Sequence, residues 1–370
     1  MIVKRKIKVA QIIGNVAEGG IEMMIMNLFR YINRSEVEFH FLVPNTSIII
    51  NKEEIEELGG RVIVTPKYNH YFKYKKFLKE LFLKEKYDVV HANMNALSFI
   101  PLKVAKKCGI NIRVSHCHST SHKKEHIRHL IKELLKPFSK RYATHLFACS
   151  EKAGRWLYGD KAFNSGNVII INNGIDFNKY KYDEGMRRKI RNGLSIPNNA
   201  KVVGHIGRFM TQKNHPYLIR IFTELLKVNS NSYLLLVGSG ENLDSIKDMV
   251  TTLNINNVIF TGSVTNANDY YQAMDCFCLP SLYEGLPVVG VEAQINGLKC
   301  FFSNEITEEA RLLEETEFLK LSDSPLRWAT SIDNFFKKNV IRIQTSLKND
   351  FDIKMIASKL LEVYRHALYN

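Results

Sequence analysis

The stretch Cys276-Phe277-Cys278-Leu279-Pro280-Ser281-Leu282-Tyr283-Glu284-Gly285-Leu286-Pro287-Val288-Val289-Gly290-Val291-Glu292 passes from an apolar run through a glycine turn into apolar sequence again. That order predicts a short buried strand at 276–280, a loop, and a helix with Pro287 in its first turn. Gly285 frees the turn, and the helix start would aim unbonded backbone N–H groups at an anion. Glu284 and Glu292 are eight residues apart, which puts Glu292 about a turn and a half into the helix. Val289, Val291 and Ala293 surround Glu292, so a solvated face explains it poorly; a carboxylate that accepts ligand hydroxyls explains it better.

The strand–turn–helix order recurs on both sides of this stretch. Upstream, strands are predicted at 8–14, 38–44, 61–65, 88–92, 112–116 and 145–150, with helices at 21–31, 53–58 and 74–84. After a polar segment holding Asn172-Asn173-Gly174 and Ser195-Ile196-Pro197, strands are predicted at 201–206, 233–238, 258–261, 299–303 and 318–321, with helices at 216–228, 242–253 and 353–368. Apolar strands separated by helices predict parallel sheets covered on both faces. The fold class expected is α/β, with two doubly wound, Rossmann-like domains: an N-terminal domain at 1–171, a linker at 172–200 and a C-terminal domain at 201–352. A chain of 370 residues fits two domains of ordinary size.

In such sheets ligands bind beyond the C-terminal strand ends, which directs attention to the residues after each strand. Gly14 ends the first strand and Gly19-Gly20 precedes a helix; the loop fits either an anion-binding turn or a plain tight one. Gly207-Arg208 follows the strand at 201–206, with Lys213 five positions on, and two cations there would suit a diphosphate. Gly238-Ser239-Gly240-Glu241 opens like a dinucleotide fingerprint, but Leu243 stands where the third glycine belongs, so a nicotinamide cofactor is not expected. No metal site is expected either. His116-Cys117-His118 lacks a second ligand pair, and Asp352 of Asp350-Phe351-Asp352 reads as an N-cap of the last helix. Cysteines 108, 117, 149, 276, 278 and 300 include no CxxC pair and read as reduced structural thiols.

Taken together, Glu284-Gly285-Leu286-Pro287 with Glu292, Gly207-Arg208 with Lys213, Gly238-Ser239-Gly240-Glu241, Asn173-Gly174-Ile175-Asp176 and the Gly19-Gly20 loop resemble glycosyltransferase family 4 over nearly the whole chain. The resemblance implies a GT-B fold, two Rossmann-like domains across a cleft, with the final helix 353–370 packing back on the first. It implies that Arg208 and Lys213 hold the donor diphosphate and that Glu292 binds the ribose. Glu284 and the amides of Gly285, Leu286 and Pro287 would lie against the transferred sugar, with Gly207, Gly238 and Gly240 lining the donor site. Gly20 would touch the distal phosphate, with Gly19 beside it among the donor-binding residues. His118 resembles the family's histidine beside the sugar and is preferred to His116 because a small hydroxyl pair follows it. Lys299 departs from the pattern at a position where the family often has proline. Transfer would retain anomeric configuration, with cations in place of a metal and no cofactor. Alternatives of the same fold are a non-catalytic partner subunit and a nucleotide-sugar epimerase.

Charge bears on the acceptor. The formal net charge is +15, of which +14 falls in residues 1–170 and +1 in 171–370. Lys67–Lys86 and Lys123–Arg141 are the densest stretches, each with seven basic and two acidic residues among Leu, Ile and Phe. Such segments suit a helix lying on anionic lipid. The expected partners are a nucleotide-sugar donor (a UDP-sugar), a polyprenyl-diphosphate-linked saccharide acceptor in capsule or exopolysaccharide assembly, and an anionic membrane surface. No nucleic-acid motif is present, so nucleic acid is not an expected partner. No run approaches the ~18 uncharged apolar residues of a membrane span. A cytoplasmic protein, peripheral on the inner membrane face, is expected.

Overall fold

The computed structural model describes residues 5–14, 20–44, 52–118, 127–340, 342 and 349–369. The chain divides into two compact units, one formed by residues 1–176 and 349–370, the other by Phe177–Lys348. The first holds a seven-stranded sheet made of β1 (Ile7–Ile13), β2 (Val37–Pro44), β3 (Arg61–Thr65), β4 (Val89–Asn93), β5 (Ile112–Cys117), β6 (His145–Ala148) and β7 (Val168–Ile170). Every pairing is parallel, in the order β3-β2-β1-β4-β5-β6-β7. The order reverses between β1 and β4, the place where an open parallel sheet leaves a crevice for ligands.

Strand alternation sends the two sides of this sheet into different cores. Val9, Phe39, Phe41, Val89 and Val114 pack with the helices Gly20–Tyr31 and Ile353–Tyr369, while Ala10, Ile12, Leu42 and Val90 pack with the helices Tyr71–Glu85 and Phe99–Lys107. The chain's last helix therefore belongs to the first unit. Its entry is fixed by a parallel bridge between Ile175 and Asp352, and Asp352 Oδ1 accepts from the Lys354 amide at 2.8 Å, the N-cap role expected of it. A Cβ on Gly174 would lie 2.4 Å from Ile353 Cδ1, so the Asn173-Gly174-Ile175-Asp176 motif has a packing task at this seam.

The second unit holds a six-stranded parallel sheet of β8 (Lys201–Ile206), β9 (Ser232–Val237), β10 (Val258–Phe260), β11 (Cys276–Leu279), β12 (Lys299–Ser303) and β13 (Glu317–Leu319), ordered β10-β9-β8-β11-β12-β13. Its reversal lies between β8 and β11. On one face, Val203, Leu234, Leu236, Cys276, Cys278 and Phe301 meet the helices His215–Val228 and Pro325–Phe336, the latter burying Trp328 completely.

The segment 172–200, expected to be a linker, differs from that expectation. It contains the helix Glu184–Gly193, which packs into the second unit by an unusual chemistry. Arg187 and Arg191 are buried and pair with the two oxygens of Asp275 at 2.5 and 2.7 Å, and the Val202 amide donates to the same carboxylate at 2.7 Å. A helix whose buried side chains are arginines carries no apolar stripe, which is why it reads as polar connecting sequence.

Candidate functional site

In the second unit, the loops after β8 and β11 flank the strand-order reversal. Gly207-Arg208 leaves β8, and a one-turn 3₁₀ segment at Thr211–Lys213 brings Lys213 back toward the loop after β11. There Lys213 Nζ lies 2.7 Å from Glu284 Oε1, both side chains largely buried. Ser281 Oγ donates to the same oxygen at 3.0 Å, and Gln212 Nε2 donates to Glu284 Oε2 at 3.1 Å. The two motifs thus meet in one polar cluster. Arg208 is exposed on the same loop. A Cβ on Gly207 would stand 3.3 Å from Lys213 Cε, so the glycine leaves the lysine stem its path.

The glycines after β9 have a steric explanation. Gly238 has φ 137° and Gly240 φ 154°, and a Cβ on either would fall 2.1 Å from the Gly207 carbonyl oxygen or 2.4 Å from that of Phe209. They let the β9 loop press against the Gly207–Phe209 backbone, where the Phe209 amide donates to the Ser239 carbonyl at 2.9 Å. The Gly238 and Gly207 amides already donate to the carbonyls of Gly262 and Val237. Their part in the site is therefore to hold the loops together.

Beyond β11, Gly285, Leu286 and Pro287 lead into the helix Val288–Ile295, with Pro287 as the residue just before it. The helix's first amides have no acceptor within the helix. Glu292 lies on it, half-buried, with each carboxylate oxygen accepting a phenol: Tyr180 at 2.6 Å and Tyr271 at 2.8 Å. Burial raises the Glu292 carboxyl above its usual range, and the two tyrosines partly oppose that shift. Lys299, the departure from the family pattern, opens β12 and lies 3.6 Å from Glu317.

In the first unit, His118 follows β5. Its Nε2 lies 2.9 Å from Asn93 Oδ1 and its amide donates to Asn95 Oδ1 at 2.8 Å. His116 is fully buried, its Nδ1 3.0 Å from His91 Nε2 and its ring centroid 3.9 Å from that of His118, the two rings tilted by 38°. Desolvation takes His91 and His118 down to about 3 and His116 well below the ordinary value, so all three rings are neutral. Gly20 begins the helix Gly20–Tyr31, and Gly19 lies outside the described residues. Glu22, in that helix's first turn, is half-buried with no partner on Oε2, and burial pushes it up to about 7. Among the described residues, no three His, Cys, Asp or Glu side chains converge as a metal site.

Two family models cover the chain, Glycosyltransferase Family 4 over residues 18–179 and Glycosyl transferases group 1 over residues 186–349. A Bacillus subtilis protein named as the glycosyltransferase EpsF is 30% identical over 373 residues, with 96% of each chain covered. The chain is a family 4 glycosyltransferase. The capsular polysaccharide biosynthesis glycosyltransferase CapH of Staphylococcus aureus is 27% identical, over 97% of this chain and 98% of its own. An Escherichia coli UDP-Gal:alpha-D-GlcNAc-diphosphoundecaprenol alpha-1,3-galactosyltransferase is 27% identical over 61% of this chain and 60% of its own. Anabaena HepE, crystallised with UDP, superposes with a TM-score of 0.79 at 20% identity, over 98% of this chain and 100% of its own. A Rickettsia africae glycosyltransferase superposes with a TM-score of 0.82 at 17% identity, over 99% of this chain and 100% of its own. The fold is GT-B.

Several groups of this glycosyltransferase's candidate site escape sequence reading. Tyr180 and Tyr271 reach Glu292 from 112 and 21 residues away, and Tyr180 lies in the segment expected to be a linker. Gln212 and Ser281 adjoin motif residues, and that adjacency was the available signal. His91 and Tyr364, in bonding contact at 2.6 Å across 273 residues, left none.

Proposed function

We propose that the enzyme transfers a sugar from a UDP-sugar to a polyprenyl-diphosphate-linked saccharide, with retention of configuration, in capsule or exopolysaccharide assembly. The observation that carries this reading is the Lys213–Glu284 pair between the β8 and β11 loops, with Arg208 on the same loop as the lysine. Breaking the bond between sugar and nucleotide builds negative charge on the departing diphosphate. Arg208 would meet it with a guanidinium fork and Lys213 with a point charge shared between Glu284 and the phosphates. Glu292 would take the ribose hydroxyls on the lone pairs that its two tyrosines leave available. In the first unit, His118 would face a sugar hydroxyl and Gly20 a phosphate of the ligand.

Retention is supported by the state of the two glutamates. Glu284 is engaged by Lys213, Ser281 and Gln212, and Glu292 by two phenols, so neither is poised as the base an inverting attack would use. The donor reading follows the UDP bound in HepE, and the acceptor reading follows the diphosphoundecaprenol named for the E. coli relative. The test is transfer from a panel of nucleotide sugars to a lipid-diphosphate sugar, with the product's anomeric configuration read by NMR. A retained product, formed in chelator as well as without it, is expected. An inverted product or a strict metal requirement would overturn those parts.

The membrane reading rests on the helix Tyr71–Glu85. It buries Tyr74, Leu78 and Phe82, while Phe72, Lys76, Lys79 and Leu83 share an outer face on which Phe72 is 84% exposed. An exposed aromatic among lysines suits insertion at an anionic lipid surface. In the other basic stretch, Leu134 and Phe138 are exposed on the helix Ile127–Ser139, and residues 119–126 lie outside the described residues. No described helix is long and apolar enough to cross a membrane. Flotation with anionic vesicles is expected to carry the protein and to fail for Phe72→Glu; equal flotation of both would remove this helix from the proposal.

A further inference from the structure

Six polar side chains from three strands, the residue after β5 and the last helix are linked in sequence on the first sheet: Gln11, His91, Asn93, His116, His118 and Tyr364. Strand alternation places Gln11 opposite His91 on the face that packs against the helix Ile353–Tyr369. Five of the six are almost entirely buried and His118 partly so. We propose that these groups form a one-way chain of hydrogen bonds that fixes His118 as the Nε2–H tautomer and leaves its Nδ1 lone pair for a hydroxyl of the bound ligand. Asn93, Gln11 and Tyr364 are then positioning residues, acting through His118. The inference rests on the reading of His118 as part of the transfer site.

Asn93 sets the direction. Its Nδ2 lies 3.0 Å from Gln11 Oε1 and 3.4 Å from the His91 carbonyl oxygen, so the amide nitrogen faces acceptors and Oδ1 faces His118. His118 Nε2, 2.9 Å from that oxygen, must carry the proton. With Oε1 accepting from Asn93, Gln11 uses Nε2 to donate to the Tyr364 hydroxyl at 3.3 Å. That hydroxyl spends its own hydrogen on His91 Nδ1 at 2.6 Å, and His91 Nε2–H donates to His116 Nδ1 at 3.0 Å. The sequence ends at His116, whose Nε2 is buried with no partner. The His116 and His118 rings lie with centroids 3.9 Å apart and are tilted by 38°, a close contact that suits neutral rings.

One atom of His118 is left over. Its Nδ1 is buried and has no partner, a cost that a ligand hydroxyl would remove. A histidine free to exchange tautomers would present an N–H there part of the time and repel that hydroxyl's hydrogen. The bonded network removes this second state, and it does so from the last helix, more than 240 residues along the chain from His118.

The test reads the tautomer directly in the full-length protein labelled with ¹⁵N-histidine, by long-range ¹H–¹⁵N correlation. His118 is expected to show a bare Nδ1 and a protonated Nε2; the reverse pattern would overturn the proposal even if no variant folded. Tyr364→Phe is expected to give His118 a mixture of tautomers and to lower kcat by roughly 3- to 10-fold with little change in donor KM. Asn93→Asp keeps an acceptor against Nε2–H, so adding Tyr364→Phe to it is expected to leave the His118 signals unmoved. If Tyr364→Phe shifts nothing at His118, or shifts it equally in both backgrounds, the network does not set the tautomer. Near-normal transfer by His118→Ala would refute the site reading alone, because the tautomer signature does not depend on turnover.

Discussion

The two units oppose each other in where they keep their charge. The first unit, residues 1–176 and 349–370, carries +13, yet the polar cluster at the ends of its strands is built from neutral imidazoles, amides and a phenol. The second unit, Phe177–Lys348, carries only +2, yet its cluster is an ion pair inside a shell of donors, and a second buried ion cluster anchors the helix Glu184–Gly193. Net charge describes a surface that meets a partner; a site is made by placed groups. A leaving diphosphate asks for fixed cations, whereas a sugar hydroxyl asks for a lone pair aimed one way.

The comparison breaks most visibly where charge is buried. Asp275 holds Arg187 and Arg191, and Asp275→Ala would leave two buried guanidiniums without a counter-charge. A loss of about 3–5 kcal/mol in unfolding free energy is expected, read from denaturant titration. A loss under 1 kcal/mol would mean that the cluster relaxes into solvent. Next in size is Lys213→Ala, expected to lower the transfer rate by ~10²–10³-fold, with His118→Ala costing less because it removes one neutral hydrogen bond. Steady-state kinetics on the two variants decide the order. A larger loss at His118 would reverse the assignment of which unit supplies the electrostatic part of catalysis.

How much of this was legible follows the same division. Apolar strands announce themselves, and β3 has the limits expected of it, Arg61–Thr65. The helix Phe99–Lys107 carries Pro101 in its first turn and a lysine-rich end, and it escaped notice. The helix Pro325–Phe336 escaped too, although Ser324 caps it and Pro325 follows the cap, the standard start signal. At the site, Arg208, Lys213, Glu284 and Glu292 stand out because charged residues in apolar or glycine-rich surroundings need a reason. That Lys213 and Glu284 pair was not legible, since it depends on two loops 71 residues apart coming together. Neutral buried groups give still less warning: His91, Gln11 and Tyr364 look like ordinary members of a strand or helix until the register aligns them.

Neutrality in the first unit also shows in acid. His91, His116 and His118 have native values far below the 6.5 of an exposed histidine, so the unfolded chain binds protons that the folded chain refuses. Their contribution to stability is complete above about pH 6.5 and is lost as pH falls toward about 3. Unfolding free energy is expected to drop between about pH 6.5 and 5, and His116→Gln is expected to flatten that slope by roughly one proton. A slope unchanged in the variant would mean that His116 titrates normally. The transfer rate should show no limb from His118 in the same range, so His118→Gln should lower kcat without changing the profile's shape.

The smallest expected effect runs in the opposite direction with pH. Glu22, in the first turn of the helix Gly20–Tyr31, is pushed up to about 7 by burial, against the favourable pull of a helix N-terminus. A folded value above the unfolded one means that the native state prefers the protonated carboxyl. Ionising it costs nothing below about pH 4.5, where both states are neutral, and costs most above about pH 7, where both are charged. Glu22→Gln, which keeps the shape and removes the charge, is therefore expected to raise the melting temperature at about pH 8 by a degree or two and to leave it unchanged near pH 4. Equal stabilisation at both values would trace the gain to packing. A loss at pH 8 would show that the carboxylate is held in place by a cation, and the first unit's site would then share the charged character of the second.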